Sequence, residues 1–274
     1  MVAWQHGRRV VTAVAAGLMV CGTGCANDAP SEDARAADPV EELHRAVGAL
    51  VRAGSSKALT SMEMAAGGTR VTIRGEGVYD YAERLGRLEV QLPQDPAGTS
   101  GHRPITELLA PGALFMKNRG AGVPADKWVR VDTGTLSDGN LVTGGATDPL
   151  AAAEVLRGTR TATYVGKAKV AGVPVRHYRG TADLAVAARN ASEGNRAPLR
   201  AAAKGFATAE VPFDAYLDEQ GRIRKIRHRF SFVNGQQKDT VAVASTTLLY
   251  AFGVPVTVRL PDAEDIYAGK LAEN

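Results

Sequence analysis

Few residues of this 274-residue chain have the types and the spacing that catalysis requires. Asp132, Thr133 and Gly134 form the aspartic-protease tripeptide, but that reaction needs two such aspartates sharing one proton, and no second copy occurs. The sequence has no Gly-x-Ser-x-Gly elbow, no His-Glu-x-x-His motif and no P-loop. We therefore predict that the chain is not an enzyme, with a hydrolase as the least favoured class, and that Asp132 ends a strand at a turn.

Residues that bind metals are also sparse. The histidines beyond the first 25 residues are His44, His102, His177 and His228, which have no ligand-like spacing and no cysteine partner. We predict neither a metal nor a cofactor. His228 lies among apolar residues, where a single histidine is more often part of a core or a cavity edge than a reactive group.

The only two cysteines, Cys21 and Cys25, follow an apolar run from Val10 to Val20 that Arg8 and Arg9 precede. A basic start, a short apolar stretch and small residues at the end are typical of a secretory signal peptide. A membrane-spanning helix would need about 20 apolar residues. The chain is therefore predicted to be exported.

Acylation is the chemistry that such a cysteine offers. Gly24 directly before Cys25 resembles a bacterial lipobox, although Gly22 stands where a strong lipobox has leucine. Leu18 has the right spacing to Cys21, but the residue just before Cys21 is unfavourable. We predict lipidation at Cys25, with Cys21 and an ordinary cleaved signal as the alternatives. Two acyl chains would hold the protein stably at the extracytoplasmic face of the cell membrane.

Charge and composition limit the partners and the domain organisation that the rest of the chain can have. Removing the predicted signal peptide, residues 1–24, takes away Arg8 and Arg9 and lowers the net charge from +4 to +2, so no nucleic-acid partner is expected. Residues 25–37 are polar and aperiodic and predict a tether that spans roughly 40 Å when extended. Residues 38–274 are predicted to be a single domain. No cysteine follows the signal, so this domain depends on its own core.

Two helices have clear start signals. Asp38 with Pro39 begins one that ends before Gly54, and Asp148 with Pro149 begins another that ends at residue 158. A short helix is predicted at 105–109, and the Ala-rich residues 183–206 predict two helical pieces broken at Gly194 and Pro198.

Most other segments predict strands. Period-two alternation and turn signals place them at residues 69–74, 87–92, 113–117, 128–132, 161–169, 175–183, 210–217, 222–233, 240–252 and 254–260. Long consecutive antiparallel strands with inserted helices predict an α+β domain. Its large curved antiparallel sheet, a half-barrel, would wrap around the helices.

The last long strands indicate where a ligand could bind. In residues 222–233 the residues Ile226, His228, Phe230 and Phe232 share a face opposite Lys225, Arg227 and Arg229. The next strand has one face of mostly small residues: Ala242, Ala244, Thr246, Leu248 and Tyr250. If that face points inward it leaves room for a ligand, but small residues can equally let a helix pack closely. The basic face could meet lipid phosphates or an anionic membrane, although a solvated strand face is the more frequent explanation.

Two segments resemble a known family. Residues 165–180, VGKAKVAGVPVRHYRG, and 211–226, VPFDAYLDEQGRIRKI, are similar to parts of the actinobacterial LppX/LprG-type lipoproteins, whose fold is similar to that of LolA and LolB. Residues 128–132 and 254–258 fit as well, so the resemblance runs from about residue 38 to the end. It implies a LolA-like half-barrel with an apolar cavity that in some relatives accommodates acylated glycolipids. The Ala-rich residues 184–206 depart from the family, which affects the mouth of any cavity.

Anchor and resemblance together predict a lipoprotein of an actinobacterial cell envelope that binds and transfers acylated lipids or glycolipids. The predicted cavity residues are Leu88, Val90, Leu114, Met116, Phe213, Ile226, His228, Phe230, Phe232, Ala242, Ala244 and Leu248. The alternative is an accessory or sensor module of the same fold, which binds an envelope protein partner and carries no lipid. A continuous apolar cavity of several hundred Å³ would favour lipid, whereas a filled core would favour the interaction module.

Overall fold

The computed structural model describes residues 38–66, 69–93, 103–120, 122–233 and 240–268. Cys21, Cys25 and the predicted tether lie outside these ranges, so the signal peptide and the lipidation remain predictions. Ala37–Asn274 forms one compact unit.

Eleven strands of the described residues form a single open sheet in which every neighbouring pair is antiparallel. They are β1 (Ser55–Ala66), β2 (Thr69–Asp80), β3 (Leu85–Gln91), β4 (Ile105–Ala110), β5 (Ala113–Lys117), β6 (Val129–Asp132), β7 (Thr159–Val170), β8 (Val173–Asp183), β9 (Glu210–Leu217), β10 (Ile223–Val233) and β11 (Thr240–Tyr250). Their order across the sheet is β6-β5-β4-β3-β2-β1-β11-β10-β9-β8-β7. The first and last strands in chain order therefore meet in the middle, and β6 and β7 are the edges.

Four α-helices accompany the sheet: α1 (Pro39–Arg52), α2 (Pro149–Val155), α3 (Leu184–Asn190) and α4 (Glu193–Gly205). The first two begin as predicted, because the carboxylates of Asp38 and Asp148 accept hydrogen bonds from backbone N–H groups of the first turn at 2.7–2.9 Å. The buried side chains of all four helices join one face of the sheet in a single core. We call this the inner face, and the opposite one the outer face. The predicted α+β class is confirmed.

Strand β10 has the predicted alternation. Ile226, His228 and Phe230 are at most 3% exposed and point to the inner face, where the Phe230 ring stacks on Phe206 with centroids 4.9 Å apart. Arg227 points to the outer face. The alternation of basic and apolar residues therefore predicted correctly which face of this strand is buried.

The predicted inward orientation of Ala242, Ala244 and Leu248 in β11 is wrong. Residues that oppose each other in an antiparallel pair share a face, and Ala244 opposes the outward Arg229, whereas Val243 opposes Phe230. The inner face of β11 consists of Val241, Val243, Ser245, Thr247 and Leu249, all of them buried. Both faces of this strand have small or apolar residues, so its own sequence contains no signal that distinguishes them.

Three segments differ from the predictions. Residues 105–109 form strand β4 instead of a helix, since ladders to β3 and β5 on both sides outweigh the helix propensity of this short run. Strand β1 was not predicted, because its buried positions alternate between small and polar residues. Residues 254–260 form no strand.

The Ala-rich region does form two helices, but the break falls elsewhere. It lies at Ala191 and Ser192, between α3 and α4, instead of at Gly194 or Pro198. Pro198 stays inside α4 and is buried. The backbone of the preceding turn thus tolerates the missing N–H group there.

Part of the C-terminal segment, residues 251–268, packs against a second, smaller core on the outer face. This core consists of Leu108, Ala113 and Phe115 with Trp128, Val258 and Ile266 packed against it. Trp128, next to the edge strand β6, forms a parallel bridge with Ile266 through hydrogen bonds of 2.8 Å on either side. The C-terminal segment thereby ties the end of the chain to one edge of the sheet.

The register of β11 can be tested with two adjacent substitutions. Val243→Trp overfills the inner face and is expected to lower the free energy of unfolding by about 1–3 kcal/mol. Ala244→Trp places the same ring on the outer face and should change it by less than about 0.5 kcal/mol. Urea unfolding followed by circular dichroism measures both. Equal losses at the two positions would contradict the orientation described here.

Candidate functional site

Most of the predicted cavity residues lie together on the inner face. Leu88, Val90, Leu114, Met116, Phe213, Ile226, His228 and Phe230 are all buried in the main core. Ala242, Ala244 and Leu248 lie on the outer face instead. The side chain of Phe232 is outside the described part of the structure, as is Cys25.

An irregular segment, residues 136–148, covers the inner face at β2, β3 and β4, and we call it the inner segment. A Cβ atom on Gly145 would lie 3.3 Å from Ile73 of β2 and from Val90 of β3, so the backbone itself contacts the sheet. Leu141, Val142 and Ala146 of the segment belong to the main core. The sequence did not predict this role, because the segment has no periodicity and its glycines are typical of a surface loop.

Polar contacts fix the inner segment at several points. The carboxylate of Asp138 accepts hydrogen bonds from three backbone N–H groups of the segment at 2.6–3.1 Å. The guanidinium of Arg119 donates to two carbonyl groups of the segment at 3.1 and 3.2 Å. The hydroxyl of Thr147 lies 2.6 Å from that of Ser245 on β11. The segment is thus hydrogen-bonded mostly to itself, with few direct polar links to the sheet.

Helix α4 packs over the inner segment through glycines. A Cβ atom on Gly139 would lie 2.1 Å from the carbonyl oxygen of Pro198, and one on Gly205 would lie 2.0 Å from that of Ser137. No side chain fits at such distances, and Gly139 also has φ +59°. These glycines let the two backbones touch. They are the one sequence signal that could have revealed the packing.

Within the described part of the chain, the space between the sheet, the inner segment and α4 is closely packed. A pocket of about 20 Å³, lined by Leu109, Asn140 and Pro198 among others, remains between the sheet, the inner segment and α4. That is room for about one water molecule, whereas pockets for organic ligands usually measure about 300–1,000 Å³. A pocket of about 400 Å³ opens on the outer face instead, beside Leu59 and Leu248.

Several buried polar atoms on the inner side have no hydrogen-bond partner among the described residues. They are both carboxyl oxygens of Glu107, Asn140 Oδ1, Thr60 Oγ1, Thr247 Oγ1 and His228 Nε2. A Cβ atom on Gly144 would lie 3.2 Å from Glu107 Oε1 and 2.8 Å from Asn140 Oδ1, so both oxygens lie against the inner segment. Where the inner segment meets the sheet, the hydrogen-bonding capacity of Glu107 and Asn140 is therefore not fully used.

Burial favours the neutral forms of Glu107 and His228. It raises the pKa of Glu107 to about 8, although the charge of Arg119 acts in the opposite direction. Burial also lowers the pKa of His228 to about 3. At neutral pH neither side chain brings a charge into the interior.

The remaining chemical candidates have structural roles. The carboxylate of Asp132 accepts the N–H of Gly134 at 2.9 Å and caps the 3-10 turn after β6. Within the described ranges, no three His, Cys, Asp or Glu side chains lie close enough together to hold a metal ion. None of the helices in this part of the chain has the length and apolar character needed to cross a membrane.

The raised pKa of Glu107 predicts a pH dependence of stability. Between about pH 4.5, the ordinary pKa of the unfolded carboxyl, and about pH 8, the folded chain holds one more proton than the unfolded chain. Stability is therefore lost as the pH rises through this window. Glu107→Gln should remove that loss, so that its advantage over the wild type grows from pH 5 to 8 by up to several kcal/mol.

Urea unfolding across this pH range measures the difference. Glu83→Gln, an exposed site in the turn after β2, serves as the control and should follow the wild-type curve. Parallel curves for Glu107→Gln and the wild type would rule out a buried, protonated carboxyl.

No protein-family profile and no curated protein sequence matches the chain. Among solved structures, it is similar to the lipoprotein LppX of Mycobacterium tuberculosis at 9% identity and a TM-score of 0.46, over 80% of this chain and 97% of LppX. LprF of Mycobacterium bovis matches at 13% identity and 0.43, over 81% and 96%. A LolA superfamily protein of Nitrosomonas europaea matches at 11% identity and 0.34, over 85% and 99%. These likenesses concern the fold alone.

Proposed function

We propose that this chain is a membrane-anchored, non-enzymatic lipoprotein of the cell envelope that binds an acylated lipid or glycolipid between its sheet and its helices. The observation that carries the proposal is the inner segment: an irregular stretch, instead of a helix, covers the inner face of β2, β3 and β4. The surface beneath it includes the apolar side chains of Ile73 and Val90, which suit acyl chains, beside the neutral carboxyl of Glu107. The interior is filled without lipid, and the inner segment and α4 move away from the sheet when lipid enters.

The way in which the inner segment is held supports such a movement. Much of its backbone bonds to its own Asp138, and these contacts can persist while the segment leaves the sheet. Arg119, which donates to the segment from just beyond the end of β5, must release it or move with it.

Two direct polar links to the sheet would have to break: the hydroxyl pair of Thr147 and Ser245, and the hydrogen bond between Tyr79 of β2 and Asp148. A neutral hydrogen bond of this kind contributes about 1 kcal/mol net. Lids that close over binding sites are commonly held by few contacts of this kind.

The energetics of lipid transfer supply the physical reason for a carrier. A two-chain lipid in water exposes about 30 CH₂ groups at roughly 0.8 kcal/mol each, which gives an unaided barrier on the order of 20 kcal/mol. Acyl chains that replace the inner segment would cover the same apolar surface that the segment covers now. The neutral forms of Glu107 and His228 suit this site, since an unpaired buried charge costs several kcal/mol.

A second candidate is an accessory or sensor module that binds an envelope protein and carries no lipid. The filled interior favours this alternative, because the predicted cavity residues already pack against one another. The two candidates differ in whether α4 and the inner segment ever leave the sheet.

Lipid uptake by residues 37–274 separates the two candidates. This compact unit contains the whole described core, and we expect it to extract a labelled diacyl lipid from vesicles. A disulfide that ties α4 to the turn before the inner segment should abolish this uptake. Gly134 and Ala197 suit the purpose, because a Cβ atom on Gly134 would lie 3.1 Å from that of Ala197, close to the separation of about 3.5–4.5 Å in disulfides.

The same double variant supplies its own control. The unit has no other cysteine, so Gly134→Cys/Ala197→Cys should take up no lipid when oxidised and as much as the wild type when reduced. If the wild type takes up no lipid at any concentration tested, the interaction module replaces the carrier. Equal uptake by the oxidised and reduced forms would show that α4 need not move.

The anchor can be tested in the full chain. We propose that Cys25 is acylated, and Cys25→Ala should then release the protein from membranes or leave an uncleaved precursor. Membrane fractionation and the mass of the mature protein measure this. Should Cys21→Ala have this effect while Cys25→Ala has none, the lipidated residue is Cys21.

A further inference from the structure

The small residues of β11 line a pocket on the outer face. Ala244 lies between Arg229 of β10 and Glu63 of β1, and Ala242 lies opposite Ala65 of β1. Because these side chains are short and the flanking ones are long, a pocket of about 210 Å³ remains above them. Three arginines surround its apolar floor: Arg70, Arg227 and Arg229.

Arg229 belongs to a charge network beside this pocket. Asp214, only 4% exposed, accepts hydrogen bonds from Arg229 at 2.6 Å and Arg179 at 2.9 Å, and lies 2.8 Å from His177. Burial alone would raise the pKa of Asp214, but the hydrogen bonds from these three side chains lower it to about 2. One ionised carboxylate thus holds two arginines in place and can neutralise only one of them.

The other two arginines are less engaged. Arg227 meets Glu63 at 3.6 Å, and its Nε atom has no hydrogen-bond partner among the described residues. Arg70 forms no ion pair within the described ranges of the chain. Arg70, Arg179, Arg227 and Arg229 therefore share two carboxylates, and the pocket has an excess of positive charge.

We propose that this pocket binds the phosphate group of an anionic phospholipid headgroup, so that the outer face of β1, β2, β10 and β11 rests on the membrane surface. Guanidinium groups match phosphate oxygens with paired N–H donors, and the alanine floor suits the apolar part next to the phosphate. Charge complementarity selects the occupant, because an anionic leaflet attracts clustered arginines within a Debye length. The proposal is independent of any lipid in the interior and of the anchor.

Vesicle co-sedimentation of residues 37–274, which lack the predicted anchor, tests the proposal. The unit should bind vesicles that contain phosphatidylglycerol and should not bind vesicles of phosphatidylcholine alone. Arg70→Gln and Arg227→Gln should each weaken the binding about fivefold, the effect of removing one positive charge near an anionic surface. Arg229 and Arg179 are left unchanged because they hold Asp214.

Arg45→Gln is the matched control. Arg45 is an exposed arginine of α1 with one acidic partner, Glu41, at 3.9 Å, and its replacement changes the net charge equally but should leave vesicle binding unchanged. Thermal unfolding confirms that each variant is folded, and either of the two pocket variants suffices if the other does not fold.

Three results would overturn the proposal. Equal binding to both kinds of vesicle would exclude recognition of the headgroup charge. If Arg45→Gln weakened vesicle binding as much as the pocket variants do, the net charge of the protein and not the pocket would explain the binding. Displacement from vesicles by inorganic phosphate, but not by chloride at the same ionic strength, would assign the pocket to a free anion instead of a membrane.

Discussion

The structure depends on covering one face of an eleven-strand sheet. An open antiparallel sheet must bury its apolar face, and two of the four helices available for this have only two turns. The chain solves this with the inner segment, whose glycines bring its backbone against Ile73 and Val90 and under α4. Because the inner segment covers the sheet, the described interior has little room between the sheet and α4. The inner segment itself forms more hydrogen bonds within its own residues than to the sheet.

The register of the central strands determines what each face can do. β10, β11 and β1 are adjacent, so the orientation of one decides that of the others. Ala244 points outward and lies among arginines. The alanines that suggested room for a ligand inside thus line a pocket flanked by arginines on the outer face. A shift of one residue in register would exchange the two faces of this strand.

The sequence predicted a strand or helix correctly where the element itself contains a clear chemical pattern. Apolar and basic residues alternate in β10, and Asp38 and Asp148 precede Pro at helix starts, so these elements were predicted from local chemistry. β11 has small or apolar residues on both sides, and its orientation comes only from pairing with Phe230 and Arg229. The inner segment has no period at all. Its place depends on contacts with α4 and the sheet, which are distant in sequence and leave no local pattern except glycine.

The C-terminal segment has a consequence for how these molecules behave beside one another. An open sheet has two edges whose free N–H and C=O groups can recruit a strand from another chain. At one edge, next to β6, the bridge between Trp128 and Ile266 puts the chain's own tail in that place. At the other, β7 has a register shift between Tyr164 and Gly166 and carries Lys167 and Lys169. Both devices oppose the growth of a continuous sheet from one molecule to the next.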